Sequence, residues 1–66
     1  MTIRLNGEQR PLDQAQPLLQ LLKELGLEGH PVVVEHNRRA LTGSEIGHCV
    51  VSPGDELEIV RISAGG

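Results

Sequence analysis

The chain contains no phenylalanine, tyrosine or tryptophan, and this absence limits the folds that are open to it. With 66 residues, it forms one small domain that buries only about 60% of its unfolded surface. The core must therefore be built from leucine, isoleucine and valine side chains. A large enclosed substrate cavity is not expected, because too little core would remain around it.

The balance of charges disfavours a nucleic-acid binder. Six basic and nine acidic residues give a formal net charge of −3, whereas a polyanion binder needs a basic stripe on its surface. Single-stranded nucleic acids are usually held by aromatic side chains on which the bases stack, and the chain has none. We therefore expect a partner other than nucleic acid.

The cysteine content and the hydropathy of the chain indicate the cellular compartment in which the protein resides. Cys49 is the only cysteine, so no intrachain disulfide can form, which is typical of a reducing compartment. The N-terminal residues lack the apolar segment of a signal peptide. No apolar run approaches the ~20 residues of a membrane span. We expect a soluble cytoplasmic protein that does not insert into a membrane.

The N-terminal part of the chain predicts a hairpin. Thr2–Asn6 alternates polar and apolar residues, which indicates a half-buried strand. Asn6-Gly7 follows and is typical of a type I′ turn, whose two central residues need positive φ. The return strand would cover Glu8–Leu12. Pro11 cannot donate a ladder hydrogen bond, so this strand should lie at a sheet edge.

A helix is predicted next. Four leucines fall at positions i, i+3, i+4 and i+7 and so form one apolar helix face; they are Leu18, Leu21, Leu22 and Leu25. Pro17 suits the first helical position, and Gly26 suits the position just past the end.

The C-terminal half predicts two further strands, a helix start and a turn. Val32–His36 is rich in β-branched residues and predicts a strand. Thr42–Glu45 matches a capping box, with Thr at the cap and Glu three residues later. Ser52–Asp55 contains Pro-Gly at the central positions of a type II turn. Leu57–Ile62 is the last predicted strand.

This order of elements predicts an α+β fold, with a mixed sheet of four to five strands and one main helix packed on one face. The other face of the sheet then stays open to solvent or to a partner. Alternation in the last strand directs Leu57 and Ile59 to the core. Val60, Ile62 and, from the third predicted strand, Val33 then lie on the open face. We interpret these exposed apolar side chains as a docking surface, the alternative being that loops or the sheet edge cover them.

The last strand runs directly into Ala64-Gly65-Gly66. Glycine has no Cβ, so the final residues can take almost any backbone angle and pass through a narrow slot. We divide the chain into a domain over residues 1–62 and a flexible tail over residues 63–66 that presents the Gly66 carboxylate. A frayed end without function is the alternative. Arg61 is either a contact for an acidic group on the partner or a lone surface charge.

No other residues predict a reactive or metal-binding site. Cys49 has no basic cluster beside it in sequence that would lower its thiol pKa. We expect a small, partly buried side chain there, with a nucleophile or sulfur relay as the alternative. The three histidines have no metal-ligand spacing, so no metal site is expected. Arg38 and Arg39 indicate a solvated turn, with steering of an acidic partner as the alternative.

The chain resembles the ubiquitin-like sulfur carriers of the β-grasp fold, and is most similar to those of thiamine biosynthesis. The residues that carry the resemblance are Leu18-Leu19-x-Leu21-Leu22 with Leu25-Gly26, Val32-x-Val34-x-x-Asn37, Gly54-Asp55-x-Leu57-x-Ile59-Val60 and the terminal Ala64-Gly65-Gly66. They cover nearly the whole chain in order and spacing. His36 and Arg38-Arg39 depart from the family, which has an aliphatic residue and a glycine-containing turn there.

The resemblance implies a sulfur carrier that is not itself an enzyme. An E1-like adenylyltransferase would bind the open sheet face, draw in Ala64 and Gly65, and adenylate the Gly66 carboxylate. The partner would use the ATP, so the chain would bind no cofactor. Sulfur from the persulfide of a cysteine desulfurase, or of another persulfide donor, would displace AMP and leave a thiocarboxylate. Thiazole synthase would take that sulfur for the thiazole ring of thiamine. Apart from the resemblance, we expect the free chain to be a monomer, with pairing through an exposed sheet edge as the alternative.

Three other functions stay open. The small subunit of molybdopterin synthase shares the fold and the Gly-Gly tail, but usually has a longer chain. A protein modifier would form isopeptide bonds to lysines. A plain β-grasp binding module with an inert tail would keep its partner after deletion of Gly65 and Gly66. A self-contained enzyme is disfavoured, because the sequence shows no clustered acid, base or nucleophile.

Overall fold

The computed structural model of the chain describes residues 1–63, within which seven strands and two short helices follow one another. The strands are β1 (Thr2–Leu5), β2 (Glu8–Pro11), β3 (Gln16–Pro17), β4 (Val32–His36), β5 (Arg39–Ala40), β6 (Val50–Val51) and β7 (Glu56–Arg61). The helices are α1 (Leu18–Glu24) and α2 (Gly43–Ile46).

Five of these strands form one mixed sheet in the order β2-β1-β7-β4-β5. Strand β7 lies at the centre, parallel to β1 and antiparallel to β4. The predicted mixed sheet of four to five strands with one main helix is confirmed. Strands β3 and β6 form a separate antiparallel ladder. This ladder was not predicted, because two-residue strands are too short to show a period-two pattern.

The predicted hairpin at the start of the chain is confirmed. Asn6 and Gly7 have φ values of 50° and 84°, as a type I′ turn requires. Strand β2 lies at the sheet edge, where the missing N–H of Pro11 is tolerated. The strand ends at Pro11, one residue earlier than predicted, and Leu12 is buried in the core.

Helix α1 buries three of the four leucines of the predicted apolar face, Leu18, Leu21 and Leu22. The fourth, Leu25, is the C-cap and is partly buried, and Gly26 follows it with a φ of 76°. The prediction that Pro17 occupies the first helical position is wrong. Pro17 is the N-cap, with extended backbone (φ −61°, ψ 141°), because it pairs with Val50 in the β3–β6 ladder. The Leu18 N–H donates to the Cys49 carbonyl at 2.9 Å, so the ladder also satisfies a backbone donor of the helix start.

The predicted capping box and the predicted turn of the C-terminal half are also confirmed. Thr42 Oγ1 accepts from the Glu45 N–H, and Glu45 Oε1 accepts from the Thr42 N–H, which is a complete capping box for α2. Gly54 has a φ of 92°, and the Asp55 N–H donates to the Ser52 carbonyl at 3.0 Å. This turn leads directly into β7.

The core lies between α1 and one face of the five-stranded sheet. Its buried side chains are Ile3, Leu12, Leu18, Leu21, Leu22, Val34, Val51, Leu57 and Ile59. Leu57 and Ile59 were predicted to be core residues, and both are buried. In residues 1–63, no helix is both long and apolar enough to cross a membrane.

Candidate functional site

An apolar patch lies on the sheet face opposite α1. Val33 and Val60 are directly opposed in the β4–β7 pairing, on the face away from the buried Val34 and Ile59. Val33 is 48% exposed, Val60 59% and Ile62 47%. The predicted exposure of these three residues is therefore confirmed, and we call them the apolar patch.

The patch adjoins the point at which the chain leaves the sheet. The Ile62 N–H donates to the Pro31 carbonyl at 2.9 Å, which holds the backbone against the start of β4 for one residue beyond β7. The predicted tail begins one residue later, at position 63. Ala64, Gly65 and Gly66 lie outside the described residues, so their predicted roles and the division at residue 62 stay predictions.

Arg61 belongs to the other face of the sheet. It pairs with Val32 across the β4–β7 ladder, and strand alternation places both on the helix side. The Arg61 side chain is exposed and forms no ion pair with any other residue of the range 1–63. It therefore lies beside the tail without being part of the apolar patch.

Charged residues border the patch on its far side. Glu35 and Glu58 are the next cross-strand pair on the same face, two residues further from the tail than Val33 and Val60. Both glutamates are exposed. The open face thus has an apolar end beside the tail and an acidic end away from it. The sequence alone did not show this pair, because it depends on the register between two distant strands.

A second cluster joins three residues that are far apart in sequence. His36 Nε2 lies 2.7 Å from Asp55 Oδ2, and Cys49 Sγ lies 3.7 Å from His36 Nδ1. The order thiol, imidazole, carboxylate is that of an activated nucleophile. However, burial raises the pKa of the Cys49 thiol, and the negative charges of Asp55 and Glu45 raise it further. The thiol is thereby held in its protonated form, which is a poor nucleophile.

The same cluster has a clear structural role. Asp55 Oδ2 also accepts from the Ser52 N–H at 2.9 Å, and Asn37 Oδ1 accepts from the Glu56 N–H at 2.9 Å. The first bond closes the turn that precedes β7, and the second joins the residue after β4 to the start of β7. The contacts of His36 Nε2 and Asn37 Nδ2 with the Asp55 carboxylate tie the end of β4 to that turn. His36 is the last residue of β4, so its predicted place at the sheet margin is confirmed. Cys49 is partly buried, as predicted.

The remaining histidines lie next to α2 and in the loop before β4. His48 Nδ1 lies 2.9 Å from the Ser44 carbonyl at the end of α2. His30 is exposed in the loop between α1 and β4. In the part of the chain that the structure describes, no three His, Cys, Asp or Glu side chains are placed to hold a metal ion.

Comparison with known proteins agrees with this geometry. The model of the ThiS family matches residues 3–66. The sulfur carrier protein ThiS of Thermus thermophilus is 39% identical over 62 residues, which are 94% of this chain and 95% of that protein. A thiazole synthase of Paramagnetospirillum magneticum is 36% identical over 66 residues, and the chain spans 20% of its length. The crystal structure of the thiamine biosynthesis protein ThiS from Geobacter metallireducens superimposes with a TM-score of 0.81 at 26% identity, with both chains fully covered.

Proposed function

Because the chain belongs to the ThiS family and is by that membership a sulfur carrier of thiamine biosynthesis, we propose that its Gly66 carboxylate is the group that carries the sulfur. The observation that supports this most directly is the family match, which runs through the terminal Gly-Gly to residue 66. The exposed apolar patch beside the exit of the chain supports it independently. In this proposal the protein is a co-substrate of its partners and performs no catalysis itself.

The chemistry at Gly66 needs activation from outside. A carboxylate is a poor acyl donor, and its adenylate has AMP as a good leaving group. An E1-like adenylyltransferase binds ATP, and the Gly66 carboxylate oxygen attacks the α-phosphate of this ATP with release of pyrophosphate. Sulfur from a cysteine desulfurase persulfide then displaces AMP at the acyl carbon. A thiol reductant supplies the two electrons that free the thiocarboxylate from the donor cysteine.

The folded domain contributes positioning to this reaction. Val33, Val60 and Ile62 are apolar and exposed, and a partner that covers them holds the tail close to its own active site. The tethered carboxylate then reacts at a high effective concentration. Ala64 and Gly65 thread a narrow channel, and Arg61 meets an acidic group of the partner beside its entrance.

Thiazole synthase is the proposed sulfur acceptor. A thiazole synthase contains a stretch that is 36% identical to this entire chain, which favours a working relationship between the two proteins. The chain binds no cofactor of its own in this scheme. ATP and the desulfurase place the reaction in the cytoplasm, where Cys49 stays reduced. The free chain is a monomer.

Intact-mass measurement tests the proposal. The purified protein is incubated with ATP, a thiamine-pathway activating enzyme, cysteine desulfurase, cysteine and a thiol reductant. We expect the adenylate mass, or exchange of one oxygen for sulfur, localised to Gly66 by fragmentation. A variant without Gly65 and Gly66 is the control and should stay unmodified. An unchanged wild-type mass, with the Thermus thermophilus carrier modified in parallel, would contradict the proposal.

A further inference from the structure

Two carboxylates are held side by side on the open face. The β4–β7 register sets Glu35 directly opposite Glu58, and directly opposed residues on neighbouring strands have their Cβ atoms about 5 Å apart. Both side chains are exposed, so water screens the repulsion between them in the free protein.

Neither carboxylate forms an ion pair with a basic side chain of residues 1–63. Other acidic side chains are paired there: Glu56 with Arg38, Glu45 with Arg39 and Glu24 with Arg10. Glu35 and Glu58 form no ion pair and no side-chain hydrogen bond within that range. Arg4, a cation on the same face, lies opposite Glu56 rather than Glu58. The acidic pair is therefore uncompensated within the described fold.

Docking on the apolar patch changes the surroundings of this pair. Val33 and Val60 are two residues away along the same strands, so a protein that covers them also covers Glu35 and Glu58, or comes to their edge. Removal of water from two unpaired carboxylates is costly unless cationic hydrogen-bond donors replace it. A guanidinium is well suited, because its planar fork bonds carboxylate oxygens in a bidentate manner.

We infer that the partner protein presents an apolar surface bordered by a cationic side chain, arginine or lysine, that binds between Glu35 and Glu58. This inference rests on the proposed function, because it describes the enzyme that activates Gly66. The pairing fixes the direction in which the partner lies on the sheet: its apolar contact is beside the tail, and its cation is at the far end. A second copy of this chain is a poor occupant, because it carries the same acidic pair and a net charge of −3.

Charge removal tests the inference. The variants are Glu35→Gln, Glu58→Gln and the double variant. The matched control is Glu28→Gln, which removes one exposed carboxylate from the loop between α1 and β4. Binding to the activating enzyme is measured by surface plasmon resonance at several salt concentrations. We expect at least a tenfold higher Kd for the double variant and a weaker salt dependence of its association rate. The Glu28→Gln control should stay within twofold of wild type.

A urea unfolding series separates binding from folding. Since like charges opposed on neighbouring strands are unfavourable, the double variant should unfold at the same or a higher urea concentration than wild type. A higher Kd with equal or greater stability supports the inference. An unchanged Kd, an equal loss in Glu28→Gln, or self-association of wild type through this face would overturn it. If the wild-type protein binds the activating enzyme and is adenylated, and the double variant has the same Kd, this inference alone is overturned. If the wild-type protein is never modified at Gly66, the proposed function and this inference are both overturned.

Discussion

The Asn6 side chain is hydrogen-bonded to both backbone polar groups of Ile59. Asn6 Nδ2 donates to the Ile59 carbonyl at 3.1 Å, and the Ile59 N–H donates to Asn6 Oδ1 at 2.8 Å. Strand β1 ends at Leu5, so this amide extends the parallel contact with β7 past the end of the strand. The central strand is thereby held on its β1 side at the residue that precedes Val60.

Replacement of Asn6 should weaken the fold in two separable ways. Asn6→Ala removes both hydrogen bonds and places a less suitable side chain at a φ of 50°; we expect a loss of about 2–3 kcal/mol in the free energy of unfolding. Asn6→Gly removes only the side-chain amide, and glycine adopts this φ without strain. We therefore expect a loss of about 1–2 kcal/mol in the free energy of unfolding. Urea unfolding of the three proteins measures both. Wild-type stability in Asn6→Gly would show that the two bonds contribute nothing.

Val60 should matter for partner binding and not for stability. Val60→Thr keeps a β-branched side chain of similar shape and adds a hydroxyl that docking must desolvate. We expect the Kd for the activating enzyme to rise about threefold to tenfold, with an unchanged unfolding midpoint. Val50→Thr is the control, because Val50 is also in a strand and is 53% exposed, but lies in the β3–β6 ladder. Equal effects of the two substitutions would argue against the apolar patch as the docking surface.

Asp55 should give the protein part of its acid sensitivity. Burial by itself raises the pKa of the Asp55 carboxyl, but hydrogen bonds from His36, the Ser52 N–H and Asn37 outweigh it, so the pKa lies below its usual value. A depressed folded-state pKa means that the ionised group stabilises the fold above its unfolded value of about 4, and that this contribution is lost as pH falls through the folded-state pKa.

Asp55→Asn tests that contribution. We expect the variant to be less stable than wild type at pH 7 by about 1–3 kcal/mol, and the difference to shrink between pH 4 and pH 2. Urea unfolding across this range is the measurement. Some acid sensitivity should persist in the variant, because hydrogen bonds from the Thr42 N–H and from Arg39 also lower the pKa of Glu45. If the difference in the free energy of unfolding between wild type and Asp55→Asn stays constant from pH 7 to pH 2, this account is contradicted.

Arg38 occupies a backbone conformation that favours glycine. Its φ is 69° in the turn between β4 and β5, where a side chain costs about 1–2 kcal/mol. Arg38→Gly relieves this strain but adds about 0.5–1 kcal/mol of chain entropy and loses an exposed ion pair with Glu56. We expect a net gain of up to about 0.5 kcal/mol.

Arg39→Gly provides the contrast for this substitution. Arg39 lies in strand β5, where glycine weakens the strand and, as in Arg38→Gly, also removes an exposed ion pair, here with Glu45. We expect it to destabilise the protein by about 1 kcal/mol. Thermal unfolding of both variants is the measurement, and Arg38→Gly should be the more stable of the two. The reverse order would show that the turn is not strained at Arg38.

Sequence patterns predicted the elements whose signals are local. The Asn6-Gly7 turn, the leucine face of α1 and the capping box at Thr42 each depend on residues within one turn or a few positions, and each is confirmed. The exposure of Val60 followed from alternation within one strand. These features could be predicted because neighbours along the chain decide them.

The missed features depend on long-range pairing. The β3–β6 ladder, which makes Pro17 an N-cap, joins residues more than thirty positions apart. The contacts of His36 with Cys49 and Asp55 span 13 and 19 positions, and the Glu35–Glu58 pair depends on the register of β4 and β7. No periodicity in one segment contains this information. The role of Gly66 was expected from the resemblance, and residue 66 lies outside the described structure.

The parallel alignment of β1 and β7 has a practical consequence for attachments. Thr2 lies beside Gly54, because the Gly54 N–H donates to the Thr2 carbonyl, whereas Arg61 lies seven residues further along. Strand β7 alone, from Glu56 to Arg61, spans roughly 16 Å at about 3.3 Å per residue. A fluorophore, an immobilisation tag or a fused protein joined ahead of Thr2 would therefore stand clear of the end at which the chain leaves β7. Carriers attached to a solid support in this way should remain accessible to their enzymes.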